Sequence, residues 1–542
     1  MHVIFFPLFY FYFFLLGRGL ILLLNKFNKK TILDDSSKLF DTPLLIFYPI
    51  IGIFLFSNIS FLFHFFFPLK TLSLLLIVSS LLFVNLSSLL NVKKNFLIYF
   101  ITILNSFVLS ITSYDINFQY DAGYYHLNYQ NWLREFKLVF GLSNLNGAFG
   151  TSSIIDYISA PLWINQNLIL LHYITIFFLA FLSTFFSYHI ISSTNKYLFY
   201  SSISVGIFGF LDNFGIEGGR NGFFTIHGII KPDIASGVMF YICCVLLTYS
   251  LITKNNNLKE MVFLNLLIVF SFQLKISTAL LFIFFLYTLK KVGAFNLKYL
   301  LLTNSILILW SIKNILQSSC LVYPVNITCL NFPWYDQVTV DGLKNVTGDF
   351  NNSYVIGSSL NIWFSNWISV ELNKTIVTNF ALSLALLFFI KLFFTKKNLN
   401  YSNKLYTFPI IFIFANIFLW ITGAAHPRFV YGLFAYIVSL LFLKTQEFRI
   451  FKIKLPYKII AVCIIIFSTL LIPRANSYKT FYLEPFKNAF IAAPKVEYKK
   501  FNDRWVTPST GDQCWINIDC IPYKKNIFET NYLNFKSFDA RK

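Results

Sequence analysis

Residues 95–126 read Asn95-Phe96-Leu97-Ile98-Tyr99-Phe100-Ile101-Thr102-Ile103-Leu104-Asn105-Ser106-Phe107-Val108-Leu109-Ser110-Ile111-Thr112-Ser113-Tyr114-Asp115-Ile116-Asn117-Phe118-Gln119-Tyr120-Asp121-Ala122-Gly123-Tyr124-Tyr125-His126. The first part, 95–112, carries no charged side chain. It approaches the roughly 20 apolar residues that a helix needs to cross a bilayer core. Working outward, similar blocks occupy 3–24, 43–66, 71–90, 166–192, 197–211, 233–253, 299–316, 375–395, 405–424, 429–443 and 457–473. The chain is 56% hydrophobic and 12% charged, against about 25% charged for a soluble domain. The short alternating segments of a β-barrel are absent. The sequence therefore reads as an all-α, polytopic membrane bundle of about 12–14 spans, not as a soluble globular enzyme. The first block has no basic leader or small-residue cleavage site, which predicts a retained span.

The block 261–289 is too long for one crossing, has Lys275 in its middle, and has lysines on both flanks. Two short helices that return to the starting side explain it. With that division, lysine-rich loops at 25–38, 91–94, 254–259, 290–298, 396–404 and 444–458 all fall on one side, as cytoplasmic loops do. The N-terminus, 113–165, 212–232, 317–374, the turn at Ala425–Arg428 and the tail 474–542 then face outward. The domain reading is a transmembrane unit over 1–473, with large outer loops at 113–165 and 317–374, and an outer tail over 474–542. The net charge of +21 follows from the loop lysines and does not require a nucleic-acid partner. Cys243, Cys244 and Cys463 fall in spans as apolar fillers. Cys320 with Cys329, and Cys514 with Cys520, form two close pairs in outer segments, where a disulfide can persist; spacing leaves open whether either pair is bridged.

No phosphate-binding loop, GxGxxG fingerprint, HExxH or paired CxxC occurs, so neither nucleotide hydrolysis nor a metal site can be read from motifs. Chemistry is expected in the outer loops. Asp121, just past a span, can take a proton from an acceptor hydroxyl or can simply cap the helix that follows; Asp115 is the second candidate. Over 124–138, Tyr125, Trp132 and Phe136 share one helical face, which predicts a helix lying in the membrane interface.

The order of a span, then Asp121-Ala122-Gly123-Tyr124-Tyr125-His126 in the first large outer loop, then amphipathic helices and further spans, resembles the GT-C superfamily of lipid-carrier-dependent glycosyltransferases. In that superfamily an acidic residue of the first outer loop serves as, or assists, the catalytic base, which the resemblance carries to Asp121 and secondarily to Asp115. The chain is similar, more closely, to a family of bacterial multi-pass membrane proteins. The matching segments are Tyr125-His126-Leu127, Gly141-Leu142-Ser143-Asn144-Leu145, Phe149-Gly150-Thr151-Ser152-Ser153, Lys231-Pro232-Asp233, Lys275-Ile276-Ser277, Lys313-Asn314, Val322-Tyr323-Pro324, Gly511-Asp512-Gln513-Cys514-Trp515 and Cys520-Ile521-Pro522-Tyr523. Two departures stand out. Lys313 replaces an expected arginine, which keeps the charge and loses the bidentate fork. Ala148 stands where a cation is expected.

The expected activity is transfer of a sugar from a polyprenyl-phosphate-linked donor to a glycan or lipid acceptor on the outer face of a bacterial cytoplasmic membrane. Membrane lipids, the lipid-linked sugar and the acceptor are the expected partners, and no nucleic acid. No nucleotide is needed, and some superfamily members use a divalent metal while others do not. Charged residues at membrane depth are costly and mark function. Lys275, with Ser277 beside it, can meet a lipid phosphate or can snorkel. Lys231 and Arg428 are further phosphate candidates, with Asp233 as a helix cap. Arg220 and His227 lie in a glycine-rich loop that suits a substrate or an ordinary turn. Tyr125 and His126 are expected to touch substrate. The Asn-X-Thr/Ser matches at Asn326, Asn345, Asn351 and Asn373 are chance in so asparagine-rich a chain. Two alternatives stay open: a surface-polysaccharide polymerase or ligase, which would depend on Arg220 or Arg428, and a lipid-linked glycan transporter, for which internal repeats are missing. Trp505, Trp515 and the last cysteine pair suggest an ordered lid.

Overall fold

A computed structural model describes residues 1–28, 33–70, 72–85, 95–114, 118–151, 153–164, 166–192, 195–213, 232–352, 360–398, 404–423, 425–443, 445–448, 458, 462, 475–523, 525 and 527–539. Asp115, Arg220, His227 and Lys231, together with Cys463 and most of the span expected at 457–473, lie outside the described residues. Of the described residues, 71% are helical and 6% lie in strands.

The first helices are α1 (His2–Asn28), α2 (Leu44–His64), α3 (Leu72–Val84) and α4 (Phe96–Ile111). The loop after α4 carries α5 (Leu127–Glu135) and α6 (Ile154–Ser159). Next come α7 (Ile169–Ser192), α8 (Lys196–Asn213), α9 (Pro232–Thr253), α10 (Leu258–Leu274), α11 (Leu280–Val292) and α12 (Leu297–Ser318). The last group is α13 (Gln337–Asn352), α14 (Leu360–Ser369), α15 (Glu371–Phe394), α16 (Lys404–Thr422) and α17 (Tyr431–Leu440). Among the described residues seven helices are long and apolar enough to cross a membrane: α1, α2, α4, α7, α9, α12 and α15. That set is consistent with an integral membrane protein. α16 and α17 are apolar but shorter. The block expected to divide does so: α10 ends at Leu274, Lys275 is extended at φ −159°, and α11 starts at Leu280 after one 3-10 turn.

α7 and α9 are buried along nearly their whole length and form the centre of the bundle. α1 and α2 pack so closely that their backbones touch. A Cβ built on Gly52 would lie 1.9 Å from the Phe13 carbonyl oxygen, and one on Gly17 would lie 2.0 Å from that of Tyr48. Small residues permit such an approach where lipid gives no hydrophobic drive between helices.

The polar segments collect at one end. The Met1 ammonium donates to the Pro485 carbonyl at 2.9 Å, and the Tyr114 hydroxyl donates to the same oxygen at 2.6 Å. Leu69 N–H bonds to Leu133 at 3.0 Å, Leu138 N–H to His64 at 3.0 Å, and Gly141 N–H to Leu316 at 2.9 Å. Several lysine-flanked turns gather at the opposite end. There Thr42 meets His189 at 2.9 Å, and β3 (Thr395–Asn398) pairs antiparallel with β4 (Thr445–Phe448). Two short strands, β1 (Lys38–Leu39) and β2 (Thr42–Pro43), lie at that same end.

In the tail, β5 (Tyr498–Lys500) pairs with β6 (Val506–Pro508), and β7 (Phe528–Tyr532) with β8 (Phe535–Asp539). Both outer cysteine pairs are disulfides, Cys320–Cys329 and Cys514–Cys520.

Candidate functional site

The loop after α4 enters the site through a π-helical turn, Ala122–His126, that runs directly into α5. Such turns are frequent at functional positions. Asp121 precedes the turn in a helical conformation, and its side chain makes no capping bond. The capping explanation of that residue therefore fails. Gly123 is required by contact: a Cβ there would lie 2.7 Å from the Trp515 indole, and the backbone N–H of Trp515 donates to the Gly123 carbonyl at 2.9 Å.

The expectation of a helix exposed in the membrane interface is corrected. Trp132 is buried, stacks on Phe136 at 5.0 Å and meets Phe538 edge-on at 5.4 Å, while Lys536 lies 4.4 Å from the Phe136 ring. The C-terminal tail, not lipid, covers this face. It is held by Asn131 Nδ2 donating to Ile516 O at 2.7 Å, by Gln513 Nε2 donating to Tyr120 O at 3.0 Å, and by the Tyr120 hydroxyl donating to Asp512. A second anchor joins Lys525 to Asp336, whose carboxylate accepts from Nζ at 2.5 Å. Burial alone would raise the Asp336 pKa, but hydrogen bonds from Lys525 and Thr339 outweigh it and hold the carboxyl below its ordinary value of 3.8. A lowered folded value means that the anchor stabilises the tail above the unfolded pKa and is lost as pH falls through the folded one. Release of the tail, read with pepsin at acid pH and with trypsin at neutral pH, is therefore expected to begin only below about pH 4. Asp336→Asn should release it at neutral pH, and equal protection of variant and wild type at pH 7 would refute the anchor.

A cavity of about 530 Å³ opens where the loop segment meets the bundle. Asp121, Tyr125 and His126 line it from the π-turn, Asp156 from α6, Asp233 from α9, Lys275 from the break between α10 and α11, and Arg428 from the turn before α17. Five of the sequence candidates thus converge: Asp121, Tyr125, His126, Lys275 and Arg428. The break is tied to the loop by the Ser153 hydroxyl, which donates to the Leu274 carbonyl at 2.7 Å. The turn holding Arg428 is braced by its N–H bond to His426 Nδ1 at 3.2 Å and by Trp420 Nε1 donating to His426 O at 2.9 Å.

The two cations do not stand alone. Lys275 Nζ lies 2.5 Å from Asp233 Oδ1, and Arg428 Nε lies 3.6 Å from Oδ2 of the same carboxylate. Both also approach the Phe429 ring, Lys275 at 3.5 Å and Arg428 at 5.1 Å. Neither snorkelling nor a bare phosphate cradle describes Lys275, and Asp233 is more than a helix cap. Burial, then the carboxylates of Asp121, Asp233 and Asp156, push the Tyr125 phenol well above its usual range. It therefore stays protonated and available as a donor.

Asp156 was not legible as a site residue. It sits in a capping box, where its Oδ2 accepts from Ser153 N–H at 3.2 Å, and it ends 3.5 Å from His126 Nδ1. The pattern Ser153-x-x-Asp156 in the sequence signals only the cap. Lys313, fully buried on α12 and 3.8 Å from the Trp310 ring, lies behind the cavity wall. Among the described residues no group of three or more His, Cys, Asp or Glu side chains is placed to hold a metal ion.

No curated protein and no solved structure matches the chain. The model of one family, described as a domain of unknown function (DUF8201), matches residues 1–435. That stretch contains every residue lining the cavity and ends before the tail that covers the π-turn. The match takes in most of the chain, so the protein belongs to the DUF8201 family.

Proposed function

We propose that the protein is a glycosyltransferase of GT-C-like architecture with about 12–14 spans. In this reading the loop-bearing end faces outward, and the enzyme moves a sugar from a polyprenyl-phosphate donor to a glycan or lipid acceptor. The observation that carries it is the meeting, in one cavity at the end of an apolar bundle, of the half-buried Asp121 with Lys275 and Arg428. The walls supplied by α9, α10, α16 and α17 suit a lipid chain, and the loop side suits a polar acceptor. The donor phosphate would draw Lys275 and Arg428 partly away from Asp233, and those cations would stabilise the charge that develops as phosphate leaves. Asp121 would take the proton of the attacking hydroxyl. Tyr125, as a neutral donor, would orient the acceptor.

The test is mass spectrometry of surface glycans and glycolipids from wild type, a deletion strain and Asp121→Asn at matched expression. Loss of the same sugar, or accumulation of the same lipid-linked precursor, in both mutants is the expected result. If the deletion changes the glycans while Asp121→Asn matches wild type, the base is misassigned, and polymerisation, ligation or transport becomes the better account.

A further inference from the structure

His126 and Asp156 form a pair that the transfer step just described does not use. The imidazole is buried, lines the cavity, and among the described residues has no hydrogen-bond partner on either ring nitrogen; Asp156 Oδ1 lies 3.5 Å from Nδ1. The Tyr125 ring lies against it, with centroids 4.1 Å apart. Asp156 is fixed independently of the histidine. Its Oδ1 accepts from Gln130 Nε2 at 2.9 Å, and Gln130 Oε1 in turn accepts from Trp163 Nε1 at 3.1 Å. Oδ2 is held by the Ser153 N–H. A chain of buried polar groups, Trp163, Gln130 and Asp156, therefore ends beside an imidazole that has no hydrogen-bond partner among the described residues. A buried polar group without a partner is costly, so its retention beside a cavity points to a ligand that completes it.

We infer that His126 is the general acid of the transfer reaction and Asp156 its positioning residue. The inference rests on the transfer reading of the cavity. Imidazole exchanges protons near neutral pH, and a carboxylate beside Nδ1 orients the ring and balances the charge of its protonated form. The step is as follows. The bond from the anomeric carbon to the phosphate oxygen breaks, with its electron pair going to that oxygen. The proton on His126 Nε2 passes to the same oxygen. The acceptor oxygen bonds to the anomeric carbon, and its proton goes to Asp121. Solvent afterwards takes the proton from Asp121 and returns one to His126. Two titratable groups on successive turns of one segment thus serve the two proton transfers, with the cations left to hold the remaining phosphate charge.

The experiment uses the purified full chain, added to membranes of the deletion strain that carry the accumulated lipid-linked precursor. His126→Gln is expected to lower kcat by about 100-fold with little change in KM, and Asp156→Asn by a similar factor. Gln130→Leu, which loosens Asp156 without touching the cavity chemistry, should cost about tenfold. Added imidazole should restore part of the rate to His126→Ala, which a purely structural histidine would not allow. Trypsin protection of the tail reports that each variant is folded. Rates within threefold of wild type in His126→Gln, or a loss that imidazole does not relieve in folded His126→Ala, overturn the assignment. If the wild-type protein itself transfers nothing to these membranes, the transfer reading falls, and this step falls with it.

Discussion

Asp233→Ala is expected to destabilise the protein by about 3 kcal/mol, because it strands two cations that share one carboxylate. Lys275 and Arg428 are 21% and 20% exposed at their side chains, so some water reaches each, and the cost falls at the lower end of that for a broken buried pair. The effect should be specific to charge. Asp233→Asn keeps the volume and should lose nearly as much. Lys275→Met in the Asp233→Ala background should recover part of the loss, since the stranded ammonium is then gone. Thermal unfolding in detergent of the two single variants and the double variant gives the coupling. Strict additivity would mean that the close approach of Nζ to the carboxylate contributes nothing. The three residues come from α9, the break after α10 and the turn before α17, and thus tie three separate parts of the chain together at the cavity floor.

Gly52→Val is expected to have the largest effect on folding. A Cβ at position 52 would lie 1.9 Å from the Phe13 carbonyl oxygen and 2.8 Å from its carbon. The obstacle is backbone within α1 and cannot rotate away, so α1 and α2 must separate along their crossing. Overpacking of this kind costs about 3 kcal/mol, the upper end of its usual range, before the lost helix–helix contacts are added. Folded protein recovered by size-exclusion chromatography should fall several-fold. Gly342→Ala serves as control, because a Cβ there meets nothing within 4 Å. Equal recovery of both variants would show that the crossing tolerates separation.

The π-turn and the tail show how far sequence reasoning reached within the site. Asp121, Tyr125 and His126 could be found because they follow an apolar block directly and share the first polar stretch. Lys275 could be found because a charge in an apolar block is costly enough to need a reason. Asp156 could not: its spacing from Ser153 is that of an ordinary capping box, and the histidine it faces is thirty positions away in the chain. Asp233 reads as a cap for the same reason, since the position at the start of α9 accounts for an aspartate without reference to Lys275 or Arg428. Helical periodicity puts Trp132 and Phe136 on one apolar face and so suggests a helix in the membrane interface, but it does not say what covers that face.

Long apolar blocks determined, from the sequence alone, a mostly helical chain with several helices fit to cross a membrane, and the break of the long block at Lys275. These are local properties: the free energy of placing about 20 residues in lipid or water is nearly a sum over the residues themselves. Only the tertiary structure decided that Asp233 pairs with both cavity cations, that Asp156 faces His126, that α1 and α2 touch backbone to backbone, and that the tail covers α5. Each of these depends on the positions of groups far apart in the chain, and a charge pair or a close packing contact acts over a few ångströms of space, whatever the sequence separation.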